Sequence, residues 1–131
     1  MSPRLLLVLV SLALSVLLGL SLHRQTAVGP GVSHDGITIG LSLDTLKEAR
    51  WQADRDMFVS RAEQLGAKVL VLAANGDDAV QIGDVEKLIT SGVDALVIVP
   101  HDGTSMAKGV RMAHEAGIPV IAYDRIIRDS D

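Results

Sequence analysis

Hydrogen-bonding side chains recur at four points of the sequence, each directly after a short apolar run. They are Asp44, Asn75, His101-Asp102 and Asp124-Arg125. Carboxylate and amide groups bridge vicinal hydroxyls, and a guanidinium offers planar, paired donors. This combination suits a neutral, polyhydroxylated ligand.

Arg50 and Trp51 add a guanidinium and an indole near the start of the first predicted helix. The face of a Trp ring can cover the C–H face of a sugar ring by apolar contact. Because Trp51 lies in a strongly charged segment, KEARWQADRD, we expect it to face a ligand or a partner rather than the core. Met57 and Phe58 follow at core spacing and are expected inside.

Each candidate also has a purely structural explanation. Asp44 is equally well explained as a helix cap, a position that Asp commonly fills. Asn75 followed by glycine is a common turn sequence, and a cap on the third helix is the simpler role for Asp102. Asp124 and Arg125 could likewise be no more than an ion pair that stabilises the fold.

The elements that must position these residues alternate between apolar runs and amphipathic segments. The predicted strands are Ile37–Leu43, Lys68–Ala74, Ala95–Val99 and Val120–Tyr123, and the predicted helices are Thr45–Gln64, Asp78–Ser91 and Thr104–Ala116. Asp44 and the pattern Thr45-x-x-Glu48 indicate a capping box at the start of the first helix.

Strands without a polar face must be covered on both sides, which favours a parallel sheet with helices on each face. The order β-α-β-α-β-α-β therefore predicts a doubly wound α/β unit. The carboxyl ends of its strands converge on one edge, and the candidate residues follow those ends.

A hydrophobic leader precedes this unit. Residues 5–22 are apolar apart from three serines and one glycine, with Arg4 before them and His23-Arg24 after them. This layout predicts a signal peptide or an uncleaved signal anchor with its linker over residues 1–30, ahead of the α/β unit over 37–131. Either form exports the α/β unit to the periplasm or to the outer face of the cytoplasmic membrane.

Composition argues against several other functions. Residues 1–30 hold two of the twelve basic and none of the sixteen acidic residues, so the remainder has a net charge of −6. An acidic chain without a basic cluster is not expected to bind nucleic acid. The chain lacks cysteine, metal-ligand spacing of histidines, and the common hydrolase and phosphate-loop motifs. We therefore expect no metal, no cofactor and no catalysis.

Several segments carry a resemblance that extends from residue 39 to 131. They are RWQ at 50–52 with DRD at 54–56, LGAKV at 65–69, ANG at 74–76, GVD at 92–94, LVI at 96–98 and AYDR at 122–125. In these the sequence resembles the N-terminal lobe of type I periplasmic sugar-binding proteins of ABC importers, particularly their xylose branch. The resemblance implies a monosaccharide ligand, most closely D-xylose, and an ABC permease as partner.

The resemblance also implies roles for individual residues. Arg50-Trp51 matches the sugar contacts of the first helix, the Arg by hydrogen bonds and the Trp by stacking. Asp124-Arg125 matches contacts to ring hydroxyls, while Asp44 and Asn75 match polar positions on the rim of the site. The sequence departs from the xylose branch at His101-Asp102-Gly103, where Tyr-Asn-Gly is usual, and at Ala49, where Glu is usual.

The family's two lobes need roughly 300 residues, two domains of typical size. We therefore expect this chain to be a fragment or truncated product that lacks the second lobe. Two other functions stay open: a membrane-anchored sugar sensor beside a signalling partner, and an exported α/β enzyme that uses the carboxylates at the strand ends.

Overall fold

The computed structural model describes residues 36–130. The strands are β1 (Thr38–Leu43), β2 (Lys68–Ala73), β3 (Ala95–Val99) and β4 (Val120–Ala122), and the helices are α1 (Ala49–Gln64), α2 (Asp78–Thr90) and α3 (Ala107–Glu115). The strands form one parallel sheet in the order β2-β1-β3-β4. The prediction of a parallel α/β unit with this succession of elements is confirmed. The predicted leader and the boundary at residue 30 lie outside the described residues.

Each face of the sheet packs against helices because alternate residues of the strands point in opposite directions. In β3, Leu96 and Ile98 join a buried cluster with Val85 and Leu88 of α2 and with residues of α3. On the other face, Val97 and Val99 of β3 pack with Leu41, Leu43 and Trp51. The sheet is therefore covered by α2 and α3 on one side and by α1 on the other, as a doubly wound fold requires.

Gly40 in β1 permits close packing between the sheet and α2. A Cβ atom at this position would lie 2.7 Å from Cδ2 of Leu96 and 3.2 Å from Cδ1 of Leu88. The absence of a side chain thus lets these two leucines fill the core above β1.

The first helix begins later than predicted. Helix α1 starts at Ala49, and the side chain of Glu48 at its N-cap makes no capping hydrogen bond. Instead, the hydroxyl of Thr45 accepts a hydrogen bond from the Lys47 amide at 3.1 Å, which closes a local turn. The predicted capping box is therefore wrong, because Thr45 satisfies a nearer backbone group.

Helix α3 begins at Ala107 rather than Thr104, after a turn that Asp102 organises. The carboxylate of Asp102 accepts hydrogen bonds from the amides of Thr104 at 2.9 Å and Ser105 at 2.7 Å. These bonds lower the pKa of Asp102, chiefly through Ser105. The prediction that Asp102 caps the third helix is wrong, because the N-cap is Met106 and receives no side-chain capping bond, while Asp102 bonds two amides of the preceding turn.

Candidate functional site

The strand order places a topological switch point between β1 and β3, which are neighbours in the sheet. From β1 the chain crosses to β2 on one side, whereas β3 and β4 extend the sheet on the other. In open parallel sheets, the crevice at the carboxyl ends of the strands beside such a point is where ligands bind. Asp44 directly follows β1, and His101 lies two residues after β3. These two residues therefore border the expected crevice.

Asp44 is the centre of the polar contacts at this edge. One carboxylate oxygen lies 2.9 Å from Nδ1 of His101, and the other accepts a hydrogen bond from Nη1 of Arg125 at 3.0 Å. The residue is only 5% exposed. A buried carboxylate requires such partners, because an unpaired charge in this position would lose its hydration without compensation. Its helix-capping explanation fails, since α1 starts five residues later.

The guanidinium of Arg125 links three loops of the edge. Besides Asp44, its Nη1 donates to the backbone carbonyls of Pro100 at 3.0 Å and His101 at 3.1 Å. Its Nε lies 3.8 Å from a carboxylate oxygen of Asp124. The side chain nevertheless remains 42% exposed. Arg125 is thus held in place by protein groups and still accessible to a ligand.

Asp124 extends these contacts to α1. Its carboxylate accepts a hydrogen bond from Nη2 of Arg50, whose Nε also lies 3.7 Å from Asp54. The hydrogen bond with Asp124 and then its charge raise the pKa of Arg50 above the ordinary value. Asp124 adopts a positive φ of 67°, a conformation that Asp and Asn tolerate better than most residues. We call the connected side chains the edge network: Asp44, Arg50, Asp54, His101, Asp124 and Arg125.

Asn75 lies at the same edge but outside the edge network. Its φ is 56°, and the following Gly76 amide donates to the backbone carbonyl of Asp44 at 3.1 Å. Asn75 is exposed, and within residues 36–130 its side chain makes no hydrogen bond to the network. The turn predicted for this residue is therefore present, and its side chain points to no protein partner there.

Trp51 is buried rather than directed at solvent. It is 7% exposed and packs against Leu41 and Leu43 of β1, so the expectation that it avoids the core is wrong. The reason is its helical position: Trp51 shares a face with Phe58, seven residues later, and that face meets the sheet. Met57 lies on another face and is 65% exposed, so its predicted place in the core is wrong, whereas that of Phe58 is confirmed.

The guanidinium of Arg50 lies over the indole of Trp51. The Cζ atom is 4.5 Å from the ring centroid, within the range of a cation–π interaction. The position of Arg50 is therefore fixed by two contacts, a cation–π contact with Trp51 and a hydrogen bond to Asp124. The two residues predicted as a pair do act together, with only the arginine at the surface.

Gln81 is a residue of the site that sequence analysis did not identify. It is fully buried, and its amide nitrogen donates to the Val99 carbonyl at 2.8 Å and to the Ser42 hydroxyl at 3.3 Å. Its amide oxygen accepts a hydrogen bond from the backbone N–H of His101 at 2.8 Å. The available signal was its spacing, because position 81 lies four residues before the buried Val85 on one helix face.

An apolar groove lies on the sheet face covered by α1, apart from the edge network's central pair of Asp44 and Arg125. It has a volume of about 420 Å³. Its lining combines strand residues with α1 residues and comprises Leu41, Leu43, Asp54, Arg55, Met57, Phe58, Arg61, Val97, Val99, Ile121 and Tyr123. A polyhydroxylated ligand requires several convergent polar groups, which this groove offers less well than the strand-end edge.

The described residues were also compared with the requirements of a membrane-spanning helix and of a metal site. No helix within residues 36–130 combines the length and apolarity that crossing a membrane requires. Over those residues, no group of three or more His, Asp or Glu side chains is arranged to hold a metal ion.

The sequence of this chain is similar to those of known binding proteins. Residues 39–131 match the family described as periplasmic binding protein domain. The chain is 50% identical over 95 residues to the D-xylose-binding periplasmic protein of Haemophilus influenzae, and 48% identical over 95 residues to that of Escherichia coli. Each match covers 72% of this chain but 29% of the relative, so this chain spans under a third of their length.

A solved structure shows the same fold. An ABC transporter solute binding protein from Clostridium phytofermentans with bound β-D-glucose superposes with a TM-score of 0.69 at 32% identity. The match covers 72% of this chain and 29% of that protein. With the parallel sheet and the match over most of its length, this chain belongs to the periplasmic binding protein domain family.

Proposed function

We propose that this chain is the N-terminal lobe of the solute-binding component of an ABC sugar importer, with D-xylose as its ligand. The observation that carries the proposal is the edge network, in which a buried carboxylate and a half-exposed guanidinium meet at the switch point. Identity of about half to two proteins named for D-xylose binding supports this sugar over others.

In this proposal the edge network binds hydroxyl groups of the sugar. Arg125 donates hydrogen bonds through the guanidinium nitrogens that face solvent, and the carboxylates of Asp44 and Asp124 accept from ligand hydroxyls. Arg50 donates from the start of α1, and Asn75 contributes an amide from the loop after β2. Trp51 contributes by supporting Arg50, because its ring is buried in the described conformation.

The proposed whole protein has a second lobe that closes over the sugar. A single lobe leaves its ligand exposed to water, which weakens each polar contact through the high dielectric constant. Closure of two lobes removes that water and produces the form that an ABC permease recognises. A lobe with this role works outside the cytoplasm, in the periplasm or at the outer face of the membrane, which agrees with the leader expected over residues 1–30.

A binding role without catalysis agrees with how the carboxylates are used. Asp44 is engaged by His101 and Arg125, and Asp124 by Arg50. Because both carboxylates already accept hydrogen bonds from protein donors, they hold neighbouring side chains rather than standing ready to take a proton from a substrate. The network therefore has the properties of a preorganised hydrogen-bonding surface.

Binding of D-xylose to the full chain tests the proposal. The chain is kept in a detergent without a sugar headgroup, which disperses the apolar N-terminal run without competing for the site. Ligand-observed NMR detects the weak binding expected of one lobe. Arg125→Lys keeps the charge but loses the planar fork, so it should weaken D-xylose binding at least tenfold, or about 1.4 kcal/mol.

Arg61→Lys is the matched control, because Arg61 lines the apolar groove and lies outside the edge network. It should leave the affinity unchanged. Equal affinity in wild type and Arg125→Lys, with a loss in Arg61→Lys, would move the binding site to the groove. Absence of binding by wild type to D-xylose and to other monosaccharides would reject the function.

A further inference from the structure

His101 is held at the switch point by two buried polar residues, although its own imidazole is 41% exposed. Nδ1 of the ring lies 2.9 Å from a carboxylate oxygen of Asp44. The backbone N–H donates to the amide oxygen of Gln81, which is fully buried. Burying a polar group costs free energy, which its hydrogen bonds must offset. Here two buried polar side chains, Asp44 and Gln81, each use a hydrogen bond to fix the position of the exposed His101.

The contact with Asp44 determines which ring nitrogen faces a ligand. An ionised carboxylate can only accept hydrogen bonds, so Nδ1 of His101 must donate to it. In the neutral imidazole, the hydrogen then lies on Nδ1 and the lone pair on Nε2. Arg125 occupies the other oxygen of Asp44, which prevents the carboxylate from turning away.

Nε2 is therefore an oriented acceptor at the edge of the sheet. Within residues 36–130, the ring's hydrogen bond is the one made by Nδ1. Gly76 of the loop after β2 lies beside the ring, and its lack of a side chain keeps this side open, because a Cβ there would contact Cε1 of His101 at 3.8 Å. Apart from Asn75, the other residues of the proposed site are charged. Nε2 of a neutral His101 would therefore add an uncharged acceptor that selects for a ligand hydroxyl at one position.

We propose that His101 is a ligand-contact residue that accepts a hydrogen bond at Nε2 from one hydroxyl of the bound monosaccharide. This inference rests on the proposed sugar-binding function and adds a specificity determinant to it. The residue is not among the positions that the family resemblance assigned, and His stands here where Tyr is usual in the xylose branch. Selectivity for a sugar with a hydroxyl donor at that point follows from this contact.

The first test compares two substitutions in the full chain. His101→Asn places its amide nitrogen where Nδ1 lies and so keeps a donor to Asp44, but it has no atom at the position of Nε2. D-xylose binding should weaken at least fivefold. His114→Asn is the matched control, because His114 is exposed in the last turn of α3, at the end of the helix opposite the strand-end loops. It should bind as wild type does.

The second test identifies the hydroxyl by comparing wild type with His101→Asn. Both are titrated with D-xylose derivatives that carry a methyl ether at one hydroxyl each, since an ether cannot donate. One derivative should bind wild type at least fivefold more weakly than D-xylose does but show little such loss in His101→Asn, whereas ethers at hydroxyls that donate to Asp44 or Asp124 should weaken binding to both proteins. The ring nitrogens, observed by NMR at about pH 8 where histidine is ordinarily neutral, should show hydrogen on Nδ1 and a change at Nε2 on binding.

The outcomes separate this inference from the proposed function. If wild type binds D-xylose and His101→Asn binds equally well, the contact is absent and only this inference is overturned. Hydrogen on Nε2 instead of Nδ1 would overturn it as well. If wild type binds no monosaccharide, the proposed function itself fails.

Discussion

The carboxylate of Asp44 and the guanidinium of Arg125 lie 3.0 Å apart, although 81 residues separate them in the chain. Three crossovers and the strand order β2-β1-β3-β4 bring the end of β1 close to the loop after β4. The same arginine nitrogen contacts the loop after β3 through two backbone carbonyls. One pair of side chains thus joins three strand ends at the edge where we propose that the sugar binds.

Replacing Asp44 should destabilise the fold. In Asp44→Asn, one of the two positions that now accept from His101 and Arg125 becomes an N–H group, which faces a donor. We expect the free energy of unfolding to fall by about 1.5–3 kcal/mol, the usual worth of hydrogen bonds to a charged group. Urea unfolding monitored by circular dichroism measures the change.

Asp77→Asn provides the control for that substitution. Asp77 caps α2 by accepting from the Val80 amide at 2.9 Å, and Asn fills such positions as well as Asp does. Its cost should stay below about 1 kcal/mol, mainly from the lost charge at the helix N-terminus. If Asp44→Asn and Asp77→Asn lowered the free energy of unfolding equally, the two hydrogen bonds to Asp44 would contribute no more than a helix cap does.

Gly40 should not accept even a methyl group. In Gly40→Ala, the new Cβ would meet Leu96 at 2.7 Å, and overpacking of a core commonly costs about 1–3 kcal/mol. Gly83→Ala is the matched change in α2, where a Cβ meets nothing within 4 Å. It should stabilise by about 0.5–1 kcal/mol, since alanine is the better helix former. A stabilising Gly40→Ala would contradict the packing of β1 against α2.

Asp102 should make stability depend on pH in the acid range. Its pKa is lowered in the folded chain, mainly by the hydrogen bond from Ser105, so the ionised form stabilises the fold. This contribution is complete above the unfolded pKa of about 3.9 and is lost as pH falls through the lower folded value. The difference in unfolding free energy between wild type and Asp102→Ala should therefore shrink as pH is lowered from about 6 to about 3. A difference that stays constant would show that the charge of Asp102 is unimportant.

Arg50 should matter more for binding than for stability. Its side chain is 63% exposed, and exposed ion pairs contribute only about 0–1 kcal/mol. Arg50→Gln should therefore unfold nearly as wild type does, yet bind D-xylose several-fold more weakly, because the contact proposed for α1 is lost. Parallel urea unfolding and sugar titration separate these two effects. A large loss of stability with unchanged affinity would assign Arg50 to the fold alone.

The order of strands and helices could be predicted because buried strands and amphipathic helices have different hydrophobic periods. The start of α1 could not, since the Thr45 hydroxyl closes a local turn that competes with the predicted cap. Charge around Trp51 suggested exposure, but position on the helix decided its burial. Local composition therefore predicted the type of element better than the environment of one residue within it.

The contacts of the site depend on strand order, which local patterns do not contain. Asp44, Asp124 and Arg125 were predicted from their places after strands, and the fold does bring these three together. The bond between Asp44 and His101 requires β1 and β3 to be neighbours, which the sequence pattern left open. The role of Gln81 could not be predicted, because a polar residue in a helix is usually solvated. This one instead donates hydrogen bonds to the Ser42 hydroxyl of β1 and the Val99 carbonyl of β3.

Chemical-shift mapping with D-xylose on the isotopically labelled full chain locates the sugar site residue by residue. If the edge network binds the sugar, the largest backbone shifts occur at the strand-end loops, around Asp44, His101, Asp124 and Arg125. Helix α3 and the exposed side of α2 should remain unaffected. Shifts confined to the apolar groove, or no shift with any monosaccharide at millimolar concentration, would contradict a sugar site built on the edge network.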